Sequence, residues 1–283
     1  MGSILLIVLT IWLFYRYASP VTRFNGERAY QDVLAQVNFG PRIPGSDAHA
    51  QTIAYIQREL ENAGWQVNLQ DTNWQGFSIQ NIVAFRPGTT APIILGAHYD
   101  SRLRADQDQG SGRNNPVPGA DDGASGVAVL LELARTLPIG DVPVQLVFFD
   151  AEDNGGLDGR QWIMGSRAFV ADLLEKPRAA IIVDMVGDSD LNIYFERNSN
   201  VNLSSSIWAQ ASALGYGKYF IAQPKYDMID DHTPFLEAGI PAVDIIDFDY
   251  PYWHTAADTV DKVSATSLQV VGTTLRVWIM EQK

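Results

Sequence analysis

The 283-residue chain has no cysteine and only four histidines. Without cysteine there can be no disulfide, no thiolate metal ligand and no cysteine nucleophile. Basic residues are scarce as well. Lys and Arg number 20 against 33 Asp and Glu, a formal charge of −13. Nucleic-acid binding needs a basic face for the phosphates, so no such partner is expected. An acidic surface serves solubility, and it also suits a cationic partner such as a peptide amino terminus. No apolar run reaches membrane-spanning length. Ile4–Phe14 is uncharged over eleven residues, whereas a bilayer span takes roughly 20. That length matches the apolar core of a signal peptide, or a short uncleaved anchor flanked by Trp12, Tyr15, Arg16 and Tyr17. A buried helix is the alternative. Either membrane reading makes the protein exported or membrane-anchored through residues 4–17, with its remaining domain outside the cytoplasm.

The rest of the composition is that of a globular protein, 46% hydrophobic and 19% charged. The chain divides into an N-terminal hydrophobic segment, 1–20, and a single domain, 21–283. Helical spacing is expected at Ala29–Val37 and after Ser46 or Asp47 as far as Gly64. Helices are also expected at Ala124–Leu137, Gly165–Leu174, Ser204–Leu214, His232–Ala238 and Ser267–Met280. Strands are expected at Val67–Leu69, Ile79–Phe85, Ile93–Ala97, Val144–Phe149, Ala179–Val186, Leu191–Phe195 and Pro241–Ile246. Several of these strands are continuous apolar runs, as in strands covered on both faces. Alternation of such strands with helices predicts an α/β fold. It would be a three-layer sandwich with a mixed, mostly parallel central sheet flanked by helices.

The polar residues are distributed in an ordered way. Asp100, Asp150, Asp184 and Asp247 each fall at or just past the carboxyl end of an apolar run. In open α/β sheets that edge is where ligands bind. His98, His232 and His254 lie in or beside acidic clusters, and further carboxylates come at Asp121-Asp122 and Glu152-Asp153. Imidazole plus carboxylate without thiolate is the ligand chemistry of a catalytic zinc. Each element also has a plainer explanation. Asp122 could cap the helix that starts near Ala124. Glu152 and Asp153 could be solvated loop acids, and His254 a structural histidine.

The ordered set decides between these readings. Gly96-Ala97-His98-Tyr99-Asp100-Ser101 comes first, then Pro118-Gly119-Ala120-Asp121-Asp122-Gly123-Ala124-Ser125-Gly126. Phe148-Phe149-Asp150-Ala151-Glu152-Asp153, Met164-Gly165-Ser166-Arg167, Asp184-Met185-Val186-Gly187 and Trp253-His254-Thr255 follow. In this order they resemble zinc peptidase family M28 across nearly all of residues 38–283. Asp230-Asp231-His232-Thr233-Pro234-Phe235, and Trp253 directly before His254, resemble the glutaminyl-peptide cyclotransferases within that family. M28 aminopeptidases usually carry a hydroxyl residue where Asp230 stands and commonly lack the Trp.

The resemblance implies one Zn2+ held by Asp122, Asp153 and His254. It implies Glu152 as general acid/base, with Asp184 and Asp230 hydrogen-bonding around it. Trp253, Tyr250 and Trp162 would line the substrate pocket. The implied activity is conversion of N-terminal glutamine of peptides and proteins to pyroglutamate with release of ammonia. One departure stands out: animal cyclases use Glu where this chain has Asp153, a side chain one methylene shorter. The alternative is a di-zinc aminopeptidase, with His98 and Asp184 holding a second metal and Asp122 bridging. A third class, a non-catalytic adhesion or receptor module, would be marked by loss of Glu152 or His254, and both are present.

Overall fold

The computed structural model describes residues 23–88, 92–138 and 143–282. Helices α1 (Gly26–Phe39) and α2 (Asp47–Asn62) lead into the hairpin β1 (Gln66–Trp74) and β2 (Phe77–Phe85). Next come β3 (Ile93–His98), α3 (Ala124–Thr136), β4 (Val144–Phe149), α4 (Met164–Ala171), β5 (Ala179–Asp184) and β6 (Ile193–Glu196). The chain continues through α5 (Val201–Ala213), β7 (Phe220–Tyr226), α6 (Thr233–Glu237), β8 (Ala242–Ile246) and α7 (Ala265–Met280). Six strands form one sheet in the order β1-β2-β4-β3-β5-β8. The β4-β3-β5-β8 half is parallel, and β1 and β2 are antiparallel. The sheet is therefore mixed and mostly parallel, flanked by helices, as expected.

Burial explains which runs became central strands. Every residue of β3, β5 and β8 is buried, because helices cover both faces. Helices α1, α2, α3, α5 and α7 contribute to a large apolar cluster with one face. On the other face, Phe169 of α4 and Phe235 of α6 pack with Ile94, Val147, Phe149 and Ile182. The strand β1 reads polar (Gln-Val-Asn-Leu-Gln-Asp-Thr-Asn-Trp) because it is a half-exposed edge strand. It runs well beyond the expected Val67–Leu69. Its hairpin closes through Gln75 and Gly76, both at positive φ (51° and 92°), the two-residue turn whose twist matches paired strands. Gly126 lets α3 approach the sheet: a Cβ there would lie 2.1 Å from the Val183 carbonyl oxygen.

Other boundaries moved for local reasons. Ser46, not Asp47, caps α2, accepting from the His49 amide at 3.2 Å. Strand β5 stops at Asp184 because Met185 turns to φ 42°. A second, two-stranded parallel sheet pairs β6 with β7. β7 was not expected from the sequence: it contains Pro224, and its pairing with β6 shifts register around that residue. Among the described residues no helix is long and apolar enough to cross a membrane. The apolar run at residues 4–17 lies outside the described residues.

Candidate active site

The loops after β3, β4, β5 and β8 meet the start of α3 at one edge of the sheet, and buried polar groups fix each of them there. Asp100 accepts from the Glu152 amide (3.0 Å), the Asp153 amide (3.3 Å) and Asn154 Nδ2 (3.1 Å). Asp258 accepts from the Asp121 amide (2.9 Å) and the Asp122 amide (3.2 Å). Arg42, fully buried, donates to the carbonyls of Tyr99 (2.9 Å), Pro118 (2.8 Å) and Gly119 (2.6 Å). Asp150 accepts from His49 Nε2 at 2.8 Å and from the Gln80 amide at 2.9 Å. Asp247 accepts from the Asn192 and Asp249 amides. Of the four strand-end carboxylates, Asp100, Asp150 and Asp247 thus hold loops, and Asp184 faces the cavity.

Asp122 sits between two clusters. Its Oδ1 lies 3.2 Å from His98 Nε2, which is also 3.1 Å from Asp184 Oδ1. Its Oδ2 lies 3.8 Å from His254 Nε2, which is 2.8 Å from Asp153 Oδ1. Within each trio the candidate ligand atoms all lie within 4.8 Å of one another. Asp122 is not a helix cap, since Gly123 occupies that position and no side chain bonds there. The shorter Asp153 still reaches its partners. In the Asp122–Asp153–His254 trio, Asp122 Oδ2 and Asp153 Oδ2 are buried without a hydrogen-bond partner. Orphaned buried carboxylate oxygens beside an imidazole are the donor set a zinc ion completes. In each trio the imidazole also bonds one carboxylate directly, His254 to Asp153 at 2.8 Å and His98 to Asp184 at 3.1 Å.

A small cavity of ≈ 200 Å³ opens over this trio. Glu152, Asp184 and Asp230 line its acidic side, and Trp162, Phe248 and Trp253 its aromatic side. Trp253 stacks on His254 with ring centroids 3.7 Å apart, and its edge meets Phe248 at 5.1 Å. Trp162 stacks parallel to His254 at 5.9 Å and carries the Arg102 guanidinium at 4.7 Å. Tyr250 does not line the cavity, and the expectation for it is corrected. It is buried beneath the loop beside Met185 and Ile246. Its hydroxyl donates to Asp258 at 2.6 Å, so it braces the Asp121-Asp122 turn. Phe248 occupies the wall instead. Nothing in the sequence signals the roles of Arg42 and Phe248 beyond the aromatic character of Phe248, and it marks Asp258 only as an acid following His254, not as the brace of the Asp121-Asp122 turn.

The electrostatics are those of a crowded acid cluster. Burial, together with the charges of Asp230, Asp231 and Asp153, pushes the Glu152 carboxyl well above its usual range despite His98 nearby. Burial raises Asp184 to about 7, with His98 opposing and Asp230 and Asp122 reinforcing. Burial also works against charge on His98, but Asp184, Asp100 and Asp122 outweigh it and hold the imidazole well above its ordinary value.

Comparison with known proteins identifies the family. Residues 81–279 match the model for peptidase family M28. The chain belongs to that family. Among solved structures, this M28 enzyme is similar to the glutaminyl cyclase of Porphyromonas gingivalis. The identity is 35%, the TM-score 0.86, and the match covers 92% of this chain and 99% of that one. It is also similar to a leucine aminopeptidase precursor from Bacteroides thetaiotaomicron, at 31% identity and TM-score 0.86, covering 93% and 99%. The glutaminyl-peptide cyclotransferase of Boiga irregularis is 25% identical over 91% of this chain and 81% of its own length. The uncharacterized protein YfbL of Escherichia coli is 38% identical over 48% of this chain, which spans 41% of that protein.

Proposed function

We infer that this M28 chain is a zinc-dependent glutaminyl-peptide cyclotransferase, converting N-terminal glutamine of peptides and proteins to pyroglutamate with release of ammonia. One observation carries the choice over hydrolysis. Asp230 joins Asp184 and Glu152 on the acidic side of a small cavity whose other side is closed by Trp253, Trp162 and Phe248. That is a pocket for one side chain beside a proton-handling cluster.

Asp122, Asp153 and His254 would hold one zinc ion. When bound, zinc polarises the substrate's side-chain amide carbonyl and stabilises charge on its oxygen. The aromatic walls hold the glutamine side chain folded back on its own amino group. Five-membered ring closure then needs mainly orientation. Glu152 accepts a proton from the attacking α-amine and returns it to the departing ammonia. A raised carboxyl pKa suits that exchange, because it lies nearer the pH at which the group must both take and give a proton. Asp184 and Asp230 orient Glu152. The acidic cavity also attracts the cationic amino terminus. We further propose residues 21–283 as one catalytic domain. The apolar segment at 4–17 supports export or membrane anchoring.

The second reading, a di-zinc aminopeptidase, is favoured by the preserved His98–Asp122–Asp184 cluster. Zinc reconstitution separates the two. Chelator-stripped enzyme should regain full cyclisation of a Gln-initiated peptide at one equivalent of zinc. Activity that returns only at two equivalents contradicts the cyclase assignment.

A further inference from the structure

Behind the acidic side of the cavity lies a buried polar chain that the scheme above leaves unused. It begins at Glu196, the last residue of β6. That carboxylate accepts from the amides of Asn198 (2.9 Å), Ser199 (2.7 Å) and Met228 (3.0 Å) and from Ser199 Oγ (2.8 Å). So many fixed donors hold it anionic and in one orientation. His232 Nε2 lies 3.3 Å from Glu196 Oε2. An anionic neighbour at that nitrogen keeps the proton on Nε2. The other nitrogen, Nδ1, then faces Asp244, 3.8 Å from its Oδ2. Asp230, His232 and Asp244 each place a polar atom within 4.8 Å of the other two. His232 and Asp244 are fully buried, and Asp230 is 4% exposed. Both oxygens of Asp244, both ring nitrogens of His232 and Oδ2 of Asp230 are buried without a hydrogen-bond partner, so the cluster is held by proximity and charge. Ser199 Oγ also accepts from the Asp244 amide at 3.0 Å, tying the small sheet to β8.

We propose that His232 is a positioning residue for cyclisation: anchored by Glu196, its ring sets Asp244, and Asp244 sets the Asp230 carboxyl that orients Glu152. The physical need is plain. Asp230, Asp231, Asp244 and Glu152 are crowded together with little solvent. Burial, reinforced by mutual repulsion, pushes Asp244 and Asp231 well above the carboxylate range. A carboxyl in such a cluster takes whichever orientation its neighbours allow. A misplacement on the scale of 1 Å costs up to about 100-fold in rate. Glu196 and His232 remove that freedom from a side of the cluster that never meets substrate.

This inference rests on the cyclotransferase reading, and its test keeps the two apart. His232→Ala, Asp244→Ala and Asp244→Asn are compared with wild type for kcat, KM, zinc content and melting temperature on a Gln-initiated peptide. For the alanine variants kcat is expected to fall roughly tenfold or more, with KM within about twofold and zinc still at one equivalent. Asp244→Asn, which keeps the size and a hydrogen-bonding amide, should recover much of the kcat lost in Asp244→Ala. That pair decides the matter even where His232→Ala fails to fold. Near-wild-type kcat in a folded alanine variant overturns the proposal. So does loss of activity in step with melting temperature without rescue by Asn, which marks a merely structural residue. Loss of a metal equivalent overturns it too, since the cluster is then a metal site. A wild type that releases no ammonia refutes the cyclotransferase reading itself, and this inference with it.

Discussion

Arg42 is far from the chemistry in sequence, yet the structure makes it the clamp on the loop that delivers Asp122. Its side chain donates to the buried carbonyls of Tyr99 and Gly119, at 2.9 and 2.6 Å, and to the part-buried carbonyl of Pro118 at 2.8 Å. Its positive charge also interacts favourably with Asp258, Asp100, Asp122 and Asp153. Replacement by Met keeps the volume close and removes donors and charge together. Each orphaned buried carbonyl costs about 1–3 kcal/mol. Against that stands the burial of the guanidinium itself, the main effect opposing its charge. Losing one partner of a buried charged network leaves a net cost of about 3–5 kcal/mol. At about 2–4 °C per kcal/mol for a domain of this class, the melting temperature should fall by roughly 6–20 °C. Zinc affinity should fall as well, roughly tenfold or more, the scale seen for residues that support metal ligands. Arg42→Lys keeps the charge but cannot span three carbonyls, so it should lie between. The assay is calorimetric melting of metal-free and zinc-saturated protein, with zinc affinity from chelator competition. An Arg42→Met protein that melts within about 2 °C of wild type and holds zinc equally well refutes the argument.

Glu152→Gln should keep zinc by metal analysis and lose on the order of 10²-fold or more in kcat, because the carboxyl carries protons and the amide cannot; loss of zinc to the extent seen in His254→Ala would mean the roles are misassigned. Trp253→Ala should cut kcat/KM for Gln-peptides strongly with little change in zinc content or melting temperature; a loss of roughly 3–5 kcal/mol in stability with activity falling only in proportion would mark it as a packing residue. Glu196 is pushed up by burial, but His232 and the Asn198 and Met228 amides outweigh this and bring it from 4.5 to about 2. A depressed carboxyl contributes stability above its unfolded pKa and loses it as pH falls through the folded value. The stability gap between wild type and Glu196→Gln in urea titrations should therefore be full above about pH 5 and close toward pH 2; a gap that is constant across this range contradicts the assigned bonding.

Much of this was legible before any coordinates, for definable reasons. Central strands such as Ile93–His98 and Ala179–Asp184 are buried on both faces, so they read as continuous apolar runs, and the acids after them mark the binding edge. What was illegible depends on contacts between distant positions. Asp258 bonds the amide of Asp122 across 136 positions, and no local pattern connects them. Arg42 sits in a turn-rich loop where an arginine is expected to be solvated; only the assembled fold closes over it. Tyr250 and Phe248 are two residues apart among aromatics, and in that irregular loop spacing does not tell which ring turns toward the cavity. Strand β7 was hidden by Pro224, which ordinarily argues against a strand interior; here it lies where the ladder shifts register.

The central claim is ring closure rather than hydrolysis at one zinc. The most direct measurement follows ammonia and free amino acids together, in one reaction, for a Gln-initiated peptide and its Leu-initiated counterpart. The account predicts one ammonia per Gln-peptide consumed, a blocked amino terminus on the product, and no free amino acid from either peptide. Free leucine or free glutamine, released at rates matching or exceeding that of ammonia, would contradict it.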